Sequence, residues 1–440
     1  MGTGPEWSYD DALHYLETHV NLEALVAGRY ETPTLERMER LCGLMADPQH
    51  AQPVLHLTGT NGKGSTARMA TALLAASGLA VGTYTSPDIT RVNERLSRNG
   101  IPIDDAELTE AIAGVALLEE LSGTRPSRFE ILTLAAFRWF ADVAVDVAVV
   151  EVGMGGRWDA TNVVDARVAV VTNVGLDHTG VLGSTRADIA REKSGIVTPG
   201  SVLVLGETDP ELEAIFAGTG PAALWRRHHD FACTTNEVAL GGRALELCTP
   251  GSRYDEVFLP LHGAHQGDNA AAALAAVEAF FGRPLADEVV REALAGVTAP
   301  GRFEIVGRQP LVVLDGAHNP DGARAAADTL DDFSVGGERI LVVGLNQGRS
   351  APEMLSSLGA EQARLVVACA PDWPRAMPAA DVAAAATALG AEVELVGSVD
   401  EALRRALVVA TADDAVLVTG SLHVVGAARS ILVGAPPPML

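Results

Sequence analysis

The string HLTGTNGKGST, His56 to Thr66, sets a lysine and a serine in a glycine-rich turn between an apolar strand and an alanine-rich helix. Backbone N–H groups in such a turn, backed by the positive end of the helix dipole, form a cradle for phosphate oxygens. Lys63 adds a point charge for a transferred phosphoryl group, and the Ser65 hydroxyl is placed to reach Mg²⁺. The spacing is not GxxxxGK[ST]. Leu57 stands at its first glycine, and Gly64 separates Lys63 from Ser65. A strand–helix turn with no ligand is the plain alternative, and the lysine with the hydroxyl favours a nucleotide site.

Further polar residues follow apolar runs, where strands would end. Glu151 follows VDVAVV and precedes GMGGRWDATN, Asp177-His178 follows VAVVTNVG, and Lys193 lies in REKSGIV. Singly, Glu151 reads as a helix cap, His178 as a satisfied core histidine and Lys193 as a solvated charge. Beside a phosphate loop they read differently, because Mg²⁺ needs hard oxygen ligands gathered near the phosphates.

The elements that must position these residues alternate along the chain. Val54–Thr58, Leu79–Tyr84, Val145–Val152, Val168–Val174 and Ser201–Leu205 have the continuous apolar texture of buried parallel strands. Helical stretches such as Asp104–Leu121 and Glu130–Asp142 lie between them. The pattern predicts a doubly wound α/β sheet with its ligands at the carboxyl ends of the strands. Ala222–Pro260 reads as appended antiparallel hairpins, followed by a helix from Asp268 to Phe281. Ala299-Pro300-Gly301-Arg302 is the predicted boundary, giving a first domain over 1–298 and a second over 299–440. The second repeats the α/β texture, with strands at Leu311–Asp315, Ile340–Gly344, Leu365–Ala370, Glu392–Val396 and Ala415–Thr419. The closing GAPPPML reads as a loose tail.

A chain of 440 residues exceeds one ordinary core, which agrees with two domains. The net charge of −25 argues against nucleic-acid binding and requires anionic ligands to be held by local cations. No apolar run approaches the roughly 20 residues of a membrane span. The start MGTGPEWSYDD lacks the basic segment and apolar core of a secretory signal. Four scattered cysteines form no CxxC pair, so a reducing cytoplasm is expected.

In combination the motifs resemble the folylpolyglutamate synthase/dihydrofolate synthase family of the Mur-ligase superfamily, ATP-dependent amide-forming ligases. The strings are GTNGKGST, TSPDITRVNERL, FEILTLAAF, EVGMGGRWDATNVV, GLDHTGVLG, REKSGIV, HGAHQGDNAAAAL, PGRFE and LDGAHNPDGA, and the match spans TLERMERL to TGSLHVVGAAR. The resemblance implies a P-loop-type ATPase domain followed by a Rossmann-like α/β domain. It implies that Asn61, Gly62, Lys63 and Gly64 hold the ATP phosphates, and that Ser65, Ser86, Glu151 and His178 bind Mg²⁺, with two ions expected. Lys193 matches a lysine that the family carbamylates with CO₂. Asn269, Arg302 and Asp315 match nucleotide-binding residues. His318 and Ser421 match residues of catalysis or glutamate binding. Arg128, Phe129, Glu130, Trp158, Asp159 and Ala160 match the pterin-substrate region.

The implied reaction joins L-glutamate to a pterin acid or folate through an acyl phosphate, in a monomer whose two domains close about Pro300-Gly301. An amino acid joined to a non-folate acid by a paralogous ligase is the alternative. A cell-wall precursor ligase would carry a UDP-binding domain of about 100 residues ahead of the phosphate loop, whereas 58 residues precede Gly59. Three positions depart from the family pattern. Asp88 follows Ser-Pro where histidine is common, LNQGRSAPEML with Arg349 replaces a DKD-type run, and His423 replaces the tyrosine of SLY.

Overall fold

The computed structural model describes residues 7–21, 23–24, 34–333 and 336–434. Residues 1–6 of the N-terminal string and, except for Gly434, the expected C-terminal tail lie outside them. Eight strands make the first sheet: β1 Val54–Thr58, β2 Val81–Tyr84, β3 Leu96–Arg98, β4 Ile101–Pro102, β5 Val147–Glu151, β6 Ala166–Val171, β7 Val202–Leu205 and β8 Ala223–Arg226. Their order is β4-β3-β2-β5-β1-β6-β7-β8, with β2 through β8 parallel and β3 and β4 antiparallel at one edge. All five residues of β1 are buried, as a central strand covered on both faces requires.

The helix Lys63–Ala76 follows β1 and packs against the helix His265–Phe281. Residues Ala270 to Ala273, on the latter, are all buried, and their small side chains let the two helices approach closely. Local signals set the ends of neighbouring helices. Asp104 caps the helix Asp105–Ser122 by accepting from Glu107 N at 2.7 Å, and Gly123 ends it at φ 62°. Gly123 does so because a left-handed residue releases the chain without a Cβ penalty.

Strands β9 Ala232–Ala239, β10 Gly242–Cys248 and β11 Arg253–Leu259 form a separate antiparallel sheet, as the hairpin texture predicts. The first piece of that stretch differs. Ala223–Arg226 is β8, a parallel edge strand of the large sheet, because it runs beside β7 in register from Val202↔Ala223. The third sheet contains β12 Glu304–Arg308, β13 Leu311–Leu314, β14 Arg339–Val343, β15 Leu365–Ala368, β16 Val393–Leu395 and β17 Ala415–Thr419. Its order is β12-β13-β17-β14-β15-β16, parallel except for the β12–β13 hairpin. Among the described residues no helix is long and apolar enough to cross a membrane.

Candidate active site

The phosphate loop leaves β1 where the strand order reverses, with β5 and β6 on either side. Ligands of open α/β sheets bind in such a crevice. Two glycines are required by close approach. A Cβ on Gly59 would lie 1.8 Å from Thr172 Oγ1, and one on Gly62, at φ 86°, would lie 2.4 Å from Asn269 Oδ1. Asn61 is pinned between them: its N–H donates to Asn173 Oδ1 at 3.0 Å, and its carbonyl accepts from Thr172 Oγ1 at 2.6 Å. Lys63 folds over the loop, and its Nζ donates to Gly59 O at 3.1 Å and Thr60 O at 3.4 Å.

Glu151 ends β5, opposite Leu57 of β1. Its closest donor is the backbone N–H of Ser86, at 3.4 Å from Oε2. Burial raises its carboxyl above the usual range, opposed by the positive charges of Lys63, Arg302 and Arg68. A buried carboxylate with so weak a donor set, lining one cavity with Ser65 and Ser86, offers the hard oxygen that suits Mg²⁺. His178 has a left-handed backbone, φ 51°, at the start of the short helix Thr179–Leu182. Burial pushes its imidazole down to about 4, so it presents a neutral ring able to ligate. No three His, Cys, Asp or Glu side chains gather as a metal cluster among the described residues.

Lys193 closes the helix Arg186–Lys193 and is only 3% exposed. Burial, with the like charge of Lys63, pushes its amine down to about 7. Asn269 lines a cavity of about 60 Å³ on one flank of the loop, together with Asn173, Arg227 and Asp268. On the other flank Arg302 lines a smaller cavity with Ser65, Ser86 and Glu151. Asp315 is engaged locally: it accepts from Phe303 N at 2.8 Å and Ala317 N at 2.9 Å, which fastens the 299–302 connection to the end of β13. Burial raises its carboxyl, with the Arg302 charge opposing.

The crevice of the third sheet faces that of the first. Asn319 Nδ2 donates to Asn61 Oδ1 at 3.0 Å, joining the phosphate loop to the turn after β13. Asp177 is the hub of this contact, lying 3.3 Å from Asn319 Nδ2 and 3.5 Å from His318 Nε2, and paired with Arg349. Burial works against its ionisation, but the His318 hydrogen bond and the charges of His178, His318 and Arg349 hold the carboxyl well below the usual range. Arg349, the cation of the departing LNQGRSAPEML run, is thus a tie between the two halves. Arg349→Met is expected to weaken their docking by about 2 kcal/mol, because Asp177 stays buried with one of its cationic partners gone. X-ray scattering of the ligand-free variant should show a larger radius of gyration. An unchanged radius would refute the tie.

The pterin-region residues divide. A Cβ on Gly153 would lie 2.6 Å from the Phe129 ring and 3.2 Å from Asp159 Oδ2, so the two side chains meet over that turn. Asp159 is buried, with its carboxyl raised by burial, and accepts from Thr161 Oγ1 at 2.6 Å. Ala160 is buried beside it, and Trp158 is half-exposed. Arg128 begins the helix Arg128–Asp142. Glu130 completes that helix's capping box, accepting from Ser127 N at 2.6 Å, and pairs with Arg37 at 2.8 Å. Its carboxylate is therefore already engaged. Ser421, fully buried, caps the helix Leu422–Leu432 by accepting from Val424 N at 3.2 Å. Two departures find partners: Asp88 pairs with buried Arg95 at 2.5 Å, and His423 stacks on Trp373 with centroids 3.8 Å apart. Arg68, absent from the sequence-derived set, lines the same cavity as Glu151. Its signal was available as the one charged residue of the helix beyond Lys63.

Comparison with known proteins agrees along the whole chain. Residues 57–277 match the Mur ligase middle domain, and residues 301–422 match the Mur ligase glutamate ligase domain. The dihydrofolate synthase/folylpolyglutamate synthase of Mycobacterium tuberculosis is 45% identical over 322 residues, 68% of this chain and 66% of that protein. The match therefore spans slightly less than two thirds of that relative's length. A crystal structure of Mycobacterium tuberculosis folylpolyglutamate synthase complexed with ADP and AMPPCP superposes with a TM-score of 0.89 at 36% identity, covering 96% of this chain and 98% of that one. A bifunctional folylpolyglutamate synthase/dihydrofolate synthase with Mn, AMPPNP and L-glutamate bound gives 0.85 at 31%, covering 97% and 98%.

Proposed function

The chain belongs to the Mur ligase family, in its folylpolyglutamate synthase/dihydrofolate synthase branch, and from that premise we propose that it is an ATP-dependent ligase joining L-glutamate to a pterin acid. The acceptors are dihydropteroate, a reduced folate, or both. The observation that carries this reading is the meeting of two crevices across the Asn61–Asn319 contact, with Lys63, Glu151 and Arg302 gathered on the first-sheet side.

In this reading the loop Asn61–Gly64 and Lys63 hold the nucleotide's phosphates. Asn269 lines the cavity for the nucleoside, and Arg302 approaches the phosphates from the opposite flank. Ser65, Ser86, Glu151 and His178 are the residues to hold Mg²⁺, which supplies charge neutralisation between two anionic reactants. An oxygen of the substrate carboxylate attacks the γ-phosphorus, and the bond to the β–γ bridging oxygen breaks with its electron pair leaving on ADP. The glutamate amine then attacks the acyl carbon, and phosphate departs as the amide forms. The acyl phosphate is water-sensitive, so the contacts of Asp177 with His318, Asn319 and Arg349 serve to keep the cleft shut while it exists. Lys193 is proposed to act as its carbamate. The enzyme is proposed to work as a monomer in the cytoplasm, consistent with four unpaired cysteines.

ADP release with ATP, Mg²⁺, bicarbonate and L-glutamate tests the reading, with dihydropteroate and tetrahydrofolate offered separately. Release that depends on either pterin acid is expected, and the better acceptor defines the activity. Silence with both, despite nucleotide binding, would overturn the folate assignment in favour of a paralogue with another acid acceptor.

A further inference from the structure

On the flank of the phosphate loop away from Asn269, a cavity of about 30 Å³ is walled by Ser65, Arg68, Ser86, Glu94, Glu151 and Arg302. Arg68 lies four residues after Gly64 in the helix Lys63–Ala76, so the two share a face. A Cβ on Gly64 would sit 3.3 Å from Glu151 Oε2, which fixes that face as the one turned toward the carboxylate. Helical side chains lean toward the N-terminus, so Arg68 reaches back along the helix toward the phosphate-binding turn.

Its guanidinium makes no hydrogen bond or ion pair among the described residues, although burial is strong enough to draw its pKa down against the pull of Glu151 and Glu94. Glu94 does not relieve it. That carboxylate is taken up by Ile89 N at 2.8 Å, Thr90 N at 3.2 Å and Arg91 N at 3.2 Å. Arg68 is half-buried and its guanidinium nitrogens are still reached by solvent, so its unengaged charge is open to an anion that enters the cavity. Arg302 shares the cavity and also has no ion-pair partner among the described residues. Two planar forks thus converge beside the hydroxyls at the end of the loop, a donor arrangement suited to a tetrahedral oxyanion.

Resting on the ligase reading above, we propose that Arg68 is a catalytic residue that, with Arg302, grips the terminal phosphoryl group of ATP during its transfer to the substrate carboxylate. The transfer forms one oxygen–phosphorus bond and breaks another, and no proton moves. Charge spreads over the three equatorial oxygens, and Arg68 donates to those oxygens. ADP lacks this group, so Arg68 distinguishes ATP from ADP.

The test compares Arg68→Ala and Arg68→Lys with the unaltered chain, measuring affinity for Mg-ADP and for a non-hydrolysable Mg-ATP analogue. Arg68→Ala is expected to bind ADP normally and the analogue roughly tenfold more weakly, as loss of one charged hydrogen-bond donor implies. Its kcat should fall by roughly 10- to 100-fold with little change in KM for the pterin acid. Added guanidinium should restore part of the Arg68→Ala rate, and Arg68→Lys should be intermediate. An unchanged ratio of analogue to ADP affinity would overturn the proposal. So would a rate loss that guanidinium does not relieve and that tracks a fall in melting temperature, since that is the mark of a packing role. The affinity ratio requires no acceptor. A protein that turns over neither pterin acid would refute the folate reading while leaving the Arg68 assignment to stand or fall by that ratio.

Discussion

Lys63→Ala is expected to lower kcat on the order of 10³-fold, a loss typical of removing a cation from a transferring phosphoryl group. In the ligand-free geometry Nζ rests on the Gly59 and Thr60 carbonyls, contacts that a phosphate oxygen can replace without moving the backbone. The substitution also acts on two neighbours. The Lys63 charge holds the Glu151 carboxyl down against burial and pushes the Lys193 amine down. Its removal therefore raises both, favouring a protonated Glu151, which ligates Mg²⁺ poorly, and a protonated Lys193, which cannot react with CO₂. Raising the pH should recover part of the lost rate by deprotonating both groups again, which a purely steric loss would not do. The measurement is ADP release against pH for the two proteins, beside their melting temperatures. A variant within tenfold of the unaltered chain would remove Lys63 from the reaction.

The legibility of the molecule followed the range of each interaction. Strand β1, the loop and its helix were readable because the glycines, the lysine and the apolar pattern lie within the 23 residues from Val54 to Ala76. The α/β texture gave the parallel strands of both large sheets for the same reason. Residues 223–226 were misread because four residues carry too little pattern to separate an edge strand from a hairpin arm, and only pairing with β7 decides it. The hairpin arm Glu304–Arg308 escaped because EIVGR carries a glycine and two charges. Glu130 is a different case. Ser127-Arg-Phe-Glu130 has the spacing of a capping box, a local signal that accounts for its burial. The tie between Asp177 and Arg349 joins residues 172 apart, and no local pattern announces it. Asp88 likewise became intelligible only beside Arg95, the buried cation it helps neutralise.

Lys193→Ala is expected to lower kcat between about 10² and 10³-fold, as loss of a preorganised charged group does, and to abolish any response to bicarbonate. The side chain has no hydrogen-bond or ion-pair partner among the described residues and is almost wholly buried. Its amine, pushed down to about 7, is a free base at mildly alkaline pH and able to attack CO₂. A nitrogen–carbon bond then forms, one proton is released to solvent, and an anion replaces the neutral amine beside the positive charge of Lys63. The unaltered enzyme should lose activity when stripped of CO₂ and regain it with bicarbonate, more completely above pH 7 than below. Isotope-labelled bicarbonate should leave label on Lys193. Failure to label, with activity indifferent to CO₂, would refute the carbamate. Stability gives an independent check whose sign follows from the depressed pKa. Between about pH 7 and pH 10 the unfolded chain holds a proton on this lysine that the native amine lacks, so native stability rises with pH across that window. Below pH 7 both states are protonated, and the full cost of burying the ammonium remains. Denaturant unfolding of Lys193→Met should lack that rise and gain most at the acid end, because burying a methionine there carries no charge penalty.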